Sequence, residues 1–241
     1  MNTDLTYRNY FTYAGKSCKE YGVWISGSDV FKSPSRDFEE ITIPGRNGTL
    51  TISNNRYNNV TVSYQAAIVK DFDTRIEGLR NFMMTREGYQ RLEDTYHPQE
   101  YRLAIFAGPI EPEMTDHLRR GSFSLDFNCK PQRFLKSGEY PQIFTASSSI
   151  YNSYFTTALP LIRVWGTGKL TVGKTSVVIN SNGSYTDIDC DLQMAYCGDV
   201  SCDGNISLPD VDFPSLAPGG NTIAFDSTIT RVDIYPRWYI L

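Results

Sequence analysis

The two histidines are the first residues to test for catalytic chemistry, because histidine can act as a general base or a metal ligand near neutral pH. His97 precedes Pro98, and His117 lies in a polar stretch. Neither belongs to a Ser/His/Asp order or to a spacing that zinc ligands use. Both are therefore predicted to be surface or turn residues.

Two acidic pairs could in principle supply general acid and base groups. Glu39 and Glu40 are adjacent, and one residue separates Glu111 from Glu113. Adjacent acids on a strand point to opposite faces, and the carboxylates of a glycosidase are paired in space rather than in sequence. The sequence therefore predicts no catalytic residue and no enzymatic activity.

A Gly-x-Gly at Gly166 and Gly168 is the nearest approach to a phosphate-binding loop. It lacks a third glycine, a following helix and a Lys-Ser/Thr pair. The pattern is typical of a short turn between strands, so it predicts a β-hairpin and no cofactor site.

One loop has the spacing of a calcium site. Within residues 199–210, oxygen-bearing side chains stand at positions 1, 3, 5, 9 and 12, and Gly204 stands at position 6, as in an EF-hand or dockerin-type loop. Residues 187–212 hold seven Asp and no Lys or Arg. However, position 12 is the short Asp210, Pro209 stands where an exiting helix should begin, and no helix is expected before Asp199. An acidic surface loop without metal is favoured, and calcium binding stays open as the alternative.

The aromatic residues of the second half could form a platform that stacks against sugar rings. They are Tyr151, Tyr154, Phe155, Trp165, Tyr185, Tyr196 and Trp238. Alternating aromatics in a β-sandwich more often face the core. A core role is therefore favoured, and any sugar binding is expected to be weak.

The N-terminal half has the pattern of strands, turns and one helix. Strands are predicted at residues 38–43, 50–52, 60–69, 89–92, 101–107 and 121–129, with a turn at 44–48 and a loop at 108–120. The helix is predicted at residues 74–86, capped by Asp71 or Asp73 and followed by Gly88 as the C′ residue. Its apolar face is expected to pack on the sheet and consists of Phe72, Ile76, Leu79, Phe82 and Met83.

The C-terminal half has the pattern of a β-sandwich. Short strands separated by glycine turns are predicted at residues 161–165, 169–172, 176–179 and 185–192. Alternation over residues 229–235 predicts another strand, which Pro236 ends. Residues 238–241 are apolar and are expected to be packed.

The protein is therefore predicted to be mainly β and to have two domains. Residues 1–135 form an N-terminal β-domain with one helix, residues 136–150 a linker, and residues 151–241 the C-terminal sandwich. Hydrophobic residues make up 40% of the 241 residues and aromatics 13%, which is enough for two cores.

Charge and composition exclude several classes of function. Residues 1–135 carry 17 basic and 17 acidic residues, and residues 136–241 carry 6 basic and 10 acidic. With a pI near 5.3 and no basic stripe, nucleic-acid binding is not expected. No apolar run approaches the length of a membrane span. An odd number of cysteines, five, and a polar start without a signal sequence predict free thiols in a reducing cytoplasm.

Six short motifs follow one another along the chain. They are IPGRNG (43–48), FNCKP (127–131), LIRVWGTG (161–168), IDC (188–190), FPSLAPGGNT (213–222) and ITRVDIYPRW (229–238). Each is short, but their ordered set covers nearly the whole sequence. In this order they resemble the distal tail proteins of siphophages that infect Gram-positive hosts.

The resemblance implies a structural protein of the virion, at the distal end of the tail, made in the host cytoplasm. It implies that the N-terminal domain builds a hexameric ring and that a galectin-like sandwich faces outward. The implied partners are the tail tube protein, the tail-tip hub or tail-associated protein, and the receptor-binding or baseplate proteins. No enzymatic activity, cofactor or metal is implied.

Two other functions remain as alternatives. One is a carbohydrate-binding module protein whose C-terminal sandwich recognises host cell-wall polysaccharide. The other, less favoured, is a hydrolase that acts on the host envelope. The mass in solution separates the structural ring protein from the carbohydrate-binding module protein, because a ring contains about six chains and a free lectin contains few.

Overall fold

The fold is described from a computed structural model, which covers residues 9–27, 29–115, 119–180 and 183–241. His117 lies outside the described residues. The chain divides into two compact units, and the boundary falls between Arg133 and Phe134. About half of the chain is strand, with a single α-helix among the described residues, which confirms the predicted mainly β fold class.

The first unit contains ten strands and the helix α1. In chain order they are β1 (Phe11–Tyr13), β2 (Lys16–Ser17), β3 (Val23–Ser26), β4 (Arg36–Thr42), β5 (Thr49–Tyr57), β6 (Val60–Ile68), α1 (Phe72–Met84), β7 (Gln90–Asp94), β8 (Glu100–Phe106), β9 (Glu113–Thr115) and β10 (Arg120–Leu135). The main sheet has the order β2-β1-β7-β8-β10-β6-β3, and β9 pairs with β10. Strands β4 and β5 pair only with each other and form a separate two-stranded sheet.

Helix α1 covers the sheet with the face that the spacing predicts. Its buried side chains are Phe72, Ile76, Leu79, Phe82 and Met83. They join one core with apolar residues of β1, β6, β8 and β10. A Cβ on Gly121 would come within 2.4 Å of the Phe72 ring, so glycine in β10 lets the helix approach closely.

The ends of α1 differ from the prediction. The helix begins at Phe72 and ends at Met84, two residues earlier at each end than predicted. Asp71 occupies the N-cap position but makes no side-chain capping bond, because its backbone is left-handed with a φ of 53°. The C-terminal end is capped by Thr85, whose hydroxyl donates to the Asn81 carbonyl at 2.7 Å, and Gly88 lies beyond it. The predicted loop 108–120 also contains a short strand, β9, which extends the pairing of β10.

The second unit is a sandwich of two antiparallel sheets. Its strands are β11 (Gln142–Phe144), β12 (Ser148–Asn152), β13 (Leu161–Gly166), β14 (Gly168–Val172), β15 (Thr175–Ile179), β16 (Thr186–Asp189), β17 (Met194–Cys197), β18 (Val200–Ser201), β19 (Ile206–Ser207), β20 (Gly219–Phe225) and β21 (Ile229–Tyr235). The last strand, β22 (Tyr239–Ile240), lies outside these two sheets. One sheet has the order β11-β21-β13-β16-β17-β18 and the other β12-β20-β14-β15-β19. Alternate residues of both sheets enter one core, among them Ile162, Val232, Leu170 and Ile223.

Residues 136–150 do not form the predicted linker. They include β11, which pairs with β21, and the start of β12, which pairs with β20. The Gly, Pro and Ser residues of this segment punctuate short edge strands rather than a free connection. Strand β21 ends at Tyr235, before Pro236, as predicted.

The segment after Pro236 is packed within the second unit. Trp238 is buried in its core, and the Trp238 carbonyl accepts from the Leu135 amide at 2.8 Å. A Cβ on Gly138 would lie 2.4 Å from the Trp238 nitrogen, so only glycine fits there.

Candidate functional site

His97 has a structural role in the turn after β7. Its amide and the Tyr96 amide each donate to Asp94 Oδ1 at 2.9 Å, and His97 Nδ1 lies 3.3 Å from the same oxygen. The Tyr64 hydroxyl donates to the other Asp94 oxygen at 2.7 Å. Burial first, and then the charge of Asp94, raises the pKa of Tyr64 well above its usual value. The group therefore closes a turn, which confirms the predicted turn role of His97.

The buried thiols are poor nucleophiles. Burial raises the pKa of Cys18 to about 11 and that of Cys129 to about 12, and it also raises the pKa of Cys190. A thiol attacks as the thiolate, so these groups are inert near neutral pH. All five cysteines are free.

The acidic pairs do not converge. Glu39 pairs with Ile52 and Glu40 with Thr51 across the β4–β5 hairpin, so the two carboxylates point to opposite faces, as predicted. Glu113 lies on the short strand β9 and is exposed, as is Glu111.

The loop at residues 199–210 uses its carboxylates within the protein. Asp203 accepts the Ala195 amide at 2.6 Å and the Ser201 hydroxyl at 3.0 Å. Asp210 accepts the Ser176 amide at 2.8 Å. These bonds draw the predicted ligands toward different strands. Within the described ranges, which include this whole loop, no three His, Cys, Asp or Glu side chains come together as metal ligands do.

Gly166 and Gly168 do not form the predicted hairpin. They lie where the chain leaves the six-stranded sheet at the end of β13 and enters the five-stranded sheet at β14. Both have positive φ, 108° and 129°, and a Cβ on Gly166 would lie 2.2 Å from the Thr228 carbonyl oxygen. The glycines serve a tight corner between sheets, which spacing alone cannot distinguish from a hairpin turn.

The aromatic residues of the second unit do not all belong to the core. Trp238 is buried, but Tyr151 is largely exposed and Phe155 fully so. Trp165 and Tyr185 lie on the outer face of the six-stranded sheet, beneath the guanidinium groups of Arg231 (4.6 Å) and Arg163 (4.3 Å). The predicted core role is wrong for Tyr151 and Phe155, which are exposed, and for Trp165 and Tyr185, which arginine side chains rather than the second sheet cover.

Among the described residues of the first unit, the β4–β5 hairpin pairs with no other strand. None of its residues is buried. Ile41 pairs with Leu50 and Glu39 with Ile52, so Ile41, Leu50 and Ile52 share one face of the hairpin. These three apolar side chains are 41 to 44% exposed.

The opposite face of the hairpin is mainly polar. Thr42 pairs with Thr49, Glu40 with Thr51 and Phe38 with Ser53. At its base Asp37 forms an ion pair with Arg56, and a bulge shifts the register between Asp37 and Phe38. The turn 44–48 at its tip is confirmed, with Gly45 and Gly48 at positive φ. An isolated hairpin is only marginally stable in water, so the exposed apolar face is a candidate contact surface.

Comparison with known proteins gives one family and a set of solved structures. Residues 16–129, just under half of the chain, match the family model of the phage tail protein RIFT-related domain. Comparison with curated proteins by sequence gives no match. Among the described residues, no helix has both the length and the apolar character needed to cross a membrane.

Solved structures of phage tail and baseplate proteins share the fold. The Dit protein (gp 19.1) of phage SPP1, a paradigm of the hub adsorption apparatus in phages that infect Gram-positive bacteria, has a TM-score of 0.74 and 16% identity, over 97% of this chain and 99% of that one. Chains of the phage P2 baseplate in its activated conformation, with Ca and with Sr, have TM-scores of 0.52 and 0.53 and 8% identity, over 94% of this chain and 96% of those. The resemblance to distal tail proteins found in the sequence is thus confirmed at two levels: residues 16–129 match the phage tail protein RIFT-related domain, and the chain as a whole has the fold of the SPP1 Dit protein.

Proposed function

We propose that the protein is a structural component of a siphophage or prophage tail tip. In this proposal six copies form a closed ring that joins the tail tube to the tail-tip hub and the receptor-binding apparatus, and the ring supports attachment to the host. The phage tail domain at residues 16–129 and the fold shared with the SPP1 protein support this assignment. The number six comes from the family resemblance.

The observation that carries the ring proposal is the unpartnered β4–β5 hairpin. It exposes an apolar face and two strand edges, and both favour pairing with another chain. Covering Ile41, Leu50 and Ile52 would contribute about 1 kcal/mol for each side chain. If each copy places its hairpin on the next, a closed rotation covers every hairpin without forming an open fibre.

The described residues also support a non-enzymatic role. The titratable cluster that lines the small cavity in the first unit closes a turn around Asp94. In the acidic loop of the second unit, the carboxylates of Asp203 and Asp210 accept hydrogen bonds from backbone amides and a hydroxyl. We therefore propose that the protein acts through assembly.

The mass of the full chain in solution, with two matched variants, tests the ring. Leu50→Asp puts a charge on the apolar face of the hairpin, and Thr49→Asp puts the same charge on the polar face one residue earlier. Light scattering should give about six chains for the parent and for Thr49→Asp, and one chain for Leu50→Asp. The proposal would be refuted if the parent stayed monomeric at high concentration. It would also be refuted if the Leu50→Asp variant still formed a ring.

A second proposal is that the second unit recognises host cell-wall polysaccharide. The exposed rings of Tyr151 and Phe155 favour it, since sugars stack on accessible aromatic faces. The binding would be weak, because Trp165 and Tyr185 are already covered by arginine side chains. Pull-down with purified cell walls should lose signal in Tyr151→Ser with Phe155→Ser, and no binding by the parent would end this reading.

A further inference from the structure

Arg102 on β8 is a buried cation without a hydrogen-bond partner at either terminal nitrogen. The residue is 6% exposed, and among the described residues Nη1 and Nη2 have no acceptor. Burial is the main cause that lowers the pKa of Arg102, and the nearby Arg133 lowers it further. An ion buried without a partner costs several kcal/mol. The guanidinium therefore needs an acceptor.

The carboxylates nearest to Arg102 are already engaged. Asp94 receives the Tyr64 hydroxyl and the amides of Tyr96 and His97, and His97 Nδ1 lies 3.3 Å from it. One oxygen of Glu100 takes both Nε and Nη2 of Arg133, at 2.8 and 2.6 Å. The charge on Asp94 is thus spread over several donors, and neither carboxylate bonds to Arg102.

A small cavity lies beside the guanidinium. It is lined by Tyr64, Leu92, Asp94, His97, Glu100, Tyr101 and Arg102, and its volume of about 10 Å³ admits a single atom-sized guest. The guest must accept the N–H groups of Arg102. A water could accept these N–H groups but carries no charge, whereas a halide accepts them and also supplies a negative charge to the guanidinium.

We propose that the cavity beside Arg102 is a binding site for a small monovalent inorganic anion of the size of chloride. The anion accepts hydrogen bonds from Nη1 and Nη2 of Arg102 and compensates for the charge of this guanidinium. Because Asp94 lies on β7 and Arg102 on β8, the bound anion lies between two adjacent strands of the main sheet. The first unit is then more stable in halide salts than in salts of anions too large to enter.

Bromide is the probe, because it replaces chloride and scatters anomalously. Crystals of the full chain soaked in sodium bromide should show an anomalous peak next to both terminal nitrogens of Arg102. Density for a water without an anomalous signal, or no density, would overturn the proposal. This measurement needs no variant.

Thermal unfolding of the full chain gives an independent readout. At constant ionic strength, replacing gluconate by chloride should raise the Tm of the parent as binding to the native state requires. Arg102→Met should lose this shift, and Arg119→Met, which removes an exposed arginine of the same unit, should keep it. Equal shifts in all three proteins would show a general salt effect and refute the site.

Discussion

Three aspartates of the second unit, Asp187, Asp189 and Asp233, are buried on a sheet face that strand alternation directs outward. Each is covered by one arginine that binds both of its oxygens. The pairs are Arg163 with Asp187 at 2.6 and 2.7 Å, Arg237 with Asp189 at 2.7 Å twice, and Arg231 with Asp233 at 2.7 and 2.6 Å. Bidentate geometry and burial of the carboxylate make such pairs stronger than exposed ion pairs.

The Asp189–Arg237 pair should stabilise the second unit in a pH-dependent way. Burial alone would raise the pKa of Asp189, but hydrogen bonds from Arg237 and from the Leu192 and Asp191 amides outweigh it, and the net pKa is lowered. A lowered native pKa adds stability that is present above the unfolded value of about 3.9 and is lost as pH falls through the native pKa. Asp189→Asn should therefore destabilise by about 3 kcal/mol at pH 7.

Urea unfolding at pH 7 and at pH 3 measures this difference. The gap between the parent and Asp189→Asn should narrow at pH 3, because this pH lies below the unfolded pKa of aspartate and proton uptake by Asp189 in the unfolded chain removes part of the stability that the lowered native pKa provides. Asp191→Asn is the control, since Asp191 is exposed. A gap that is unchanged with pH would show that the loss comes from packing alone.

Thiol reactivity should divide the cysteines into two groups. Cys18, Cys129 and Cys190 are buried with raised pKa values, whereas Cys197 and Cys202 are partly exposed. Iodoacetamide at pH 8 should label only the latter two in the folded protein, and mass spectrometry of peptides identifies the sites. Rapid labelling of Cys129 without denaturant would contradict the buried, protonated thiol.

At the scale of elements, the acidic loop at residues 199–210 is held in place by hydrogen bonds to its carboxylates. A calcium loop would need these carboxylates free to bind the metal. Asp203 joins the loop to β17 through the Ala195 amide, and Asp210 joins it to β15 through the Ser176 amide. No α-helix flanks the loop in the described residues; instead a short 3-10 turn, Asp203–Asn205, lies within it.

Asp203→Ala should therefore lower stability whether or not calcium is present. The loss is about 1 to 3 kcal/mol, since a buried amide is left without its acceptor. Calorimetry with calcium should give no heat of binding for either protein. Micromolar calcium binding by the parent that Asp203→Ala abolishes would make the loop a metal site.

The elements that could be predicted from sequence are those in which apolar residues recur at the spacing of a helix or a strand. The apolar face of α1 and the alternation of β6 and β10 follow from burial on one side. What could not be predicted depends on residues far apart in sequence. The glycine corner at Gly166 is defined by Thr228, and Trp165 lies outside the core because Arg231 covers it. The orphan guanidinium of Arg102 has no sequence signal, since only the fold shows that its neighbours are engaged elsewhere.

At the scale of the whole molecule, the β4–β5 hairpin contributes nothing to the core on which the folding of the first unit depends. It forms its own sheet, none of its residues is buried, and the first core contains no residue from it. Asp37 and Arg56 face each other at its base, so a two-residue turn can close the gap.

Replacing residues 38–55 with Asn-Gly should therefore separate folding from assembly. The shortened protein should keep the circular dichroism of the parent and unfold cooperatively, because both cores are untouched. Its mass by light scattering should fall from about six copies of the 27.3 kDa chain to one, since the apolar face and the strand edges that we propose join the copies are gone. Phe155→Ser, which removes a fully exposed ring from the second unit, should keep the mass of the parent. If the shortened protein still forms the ring, the copies are joined through the main sheet or the second unit, and the exposed hairpin is left for a different tail protein.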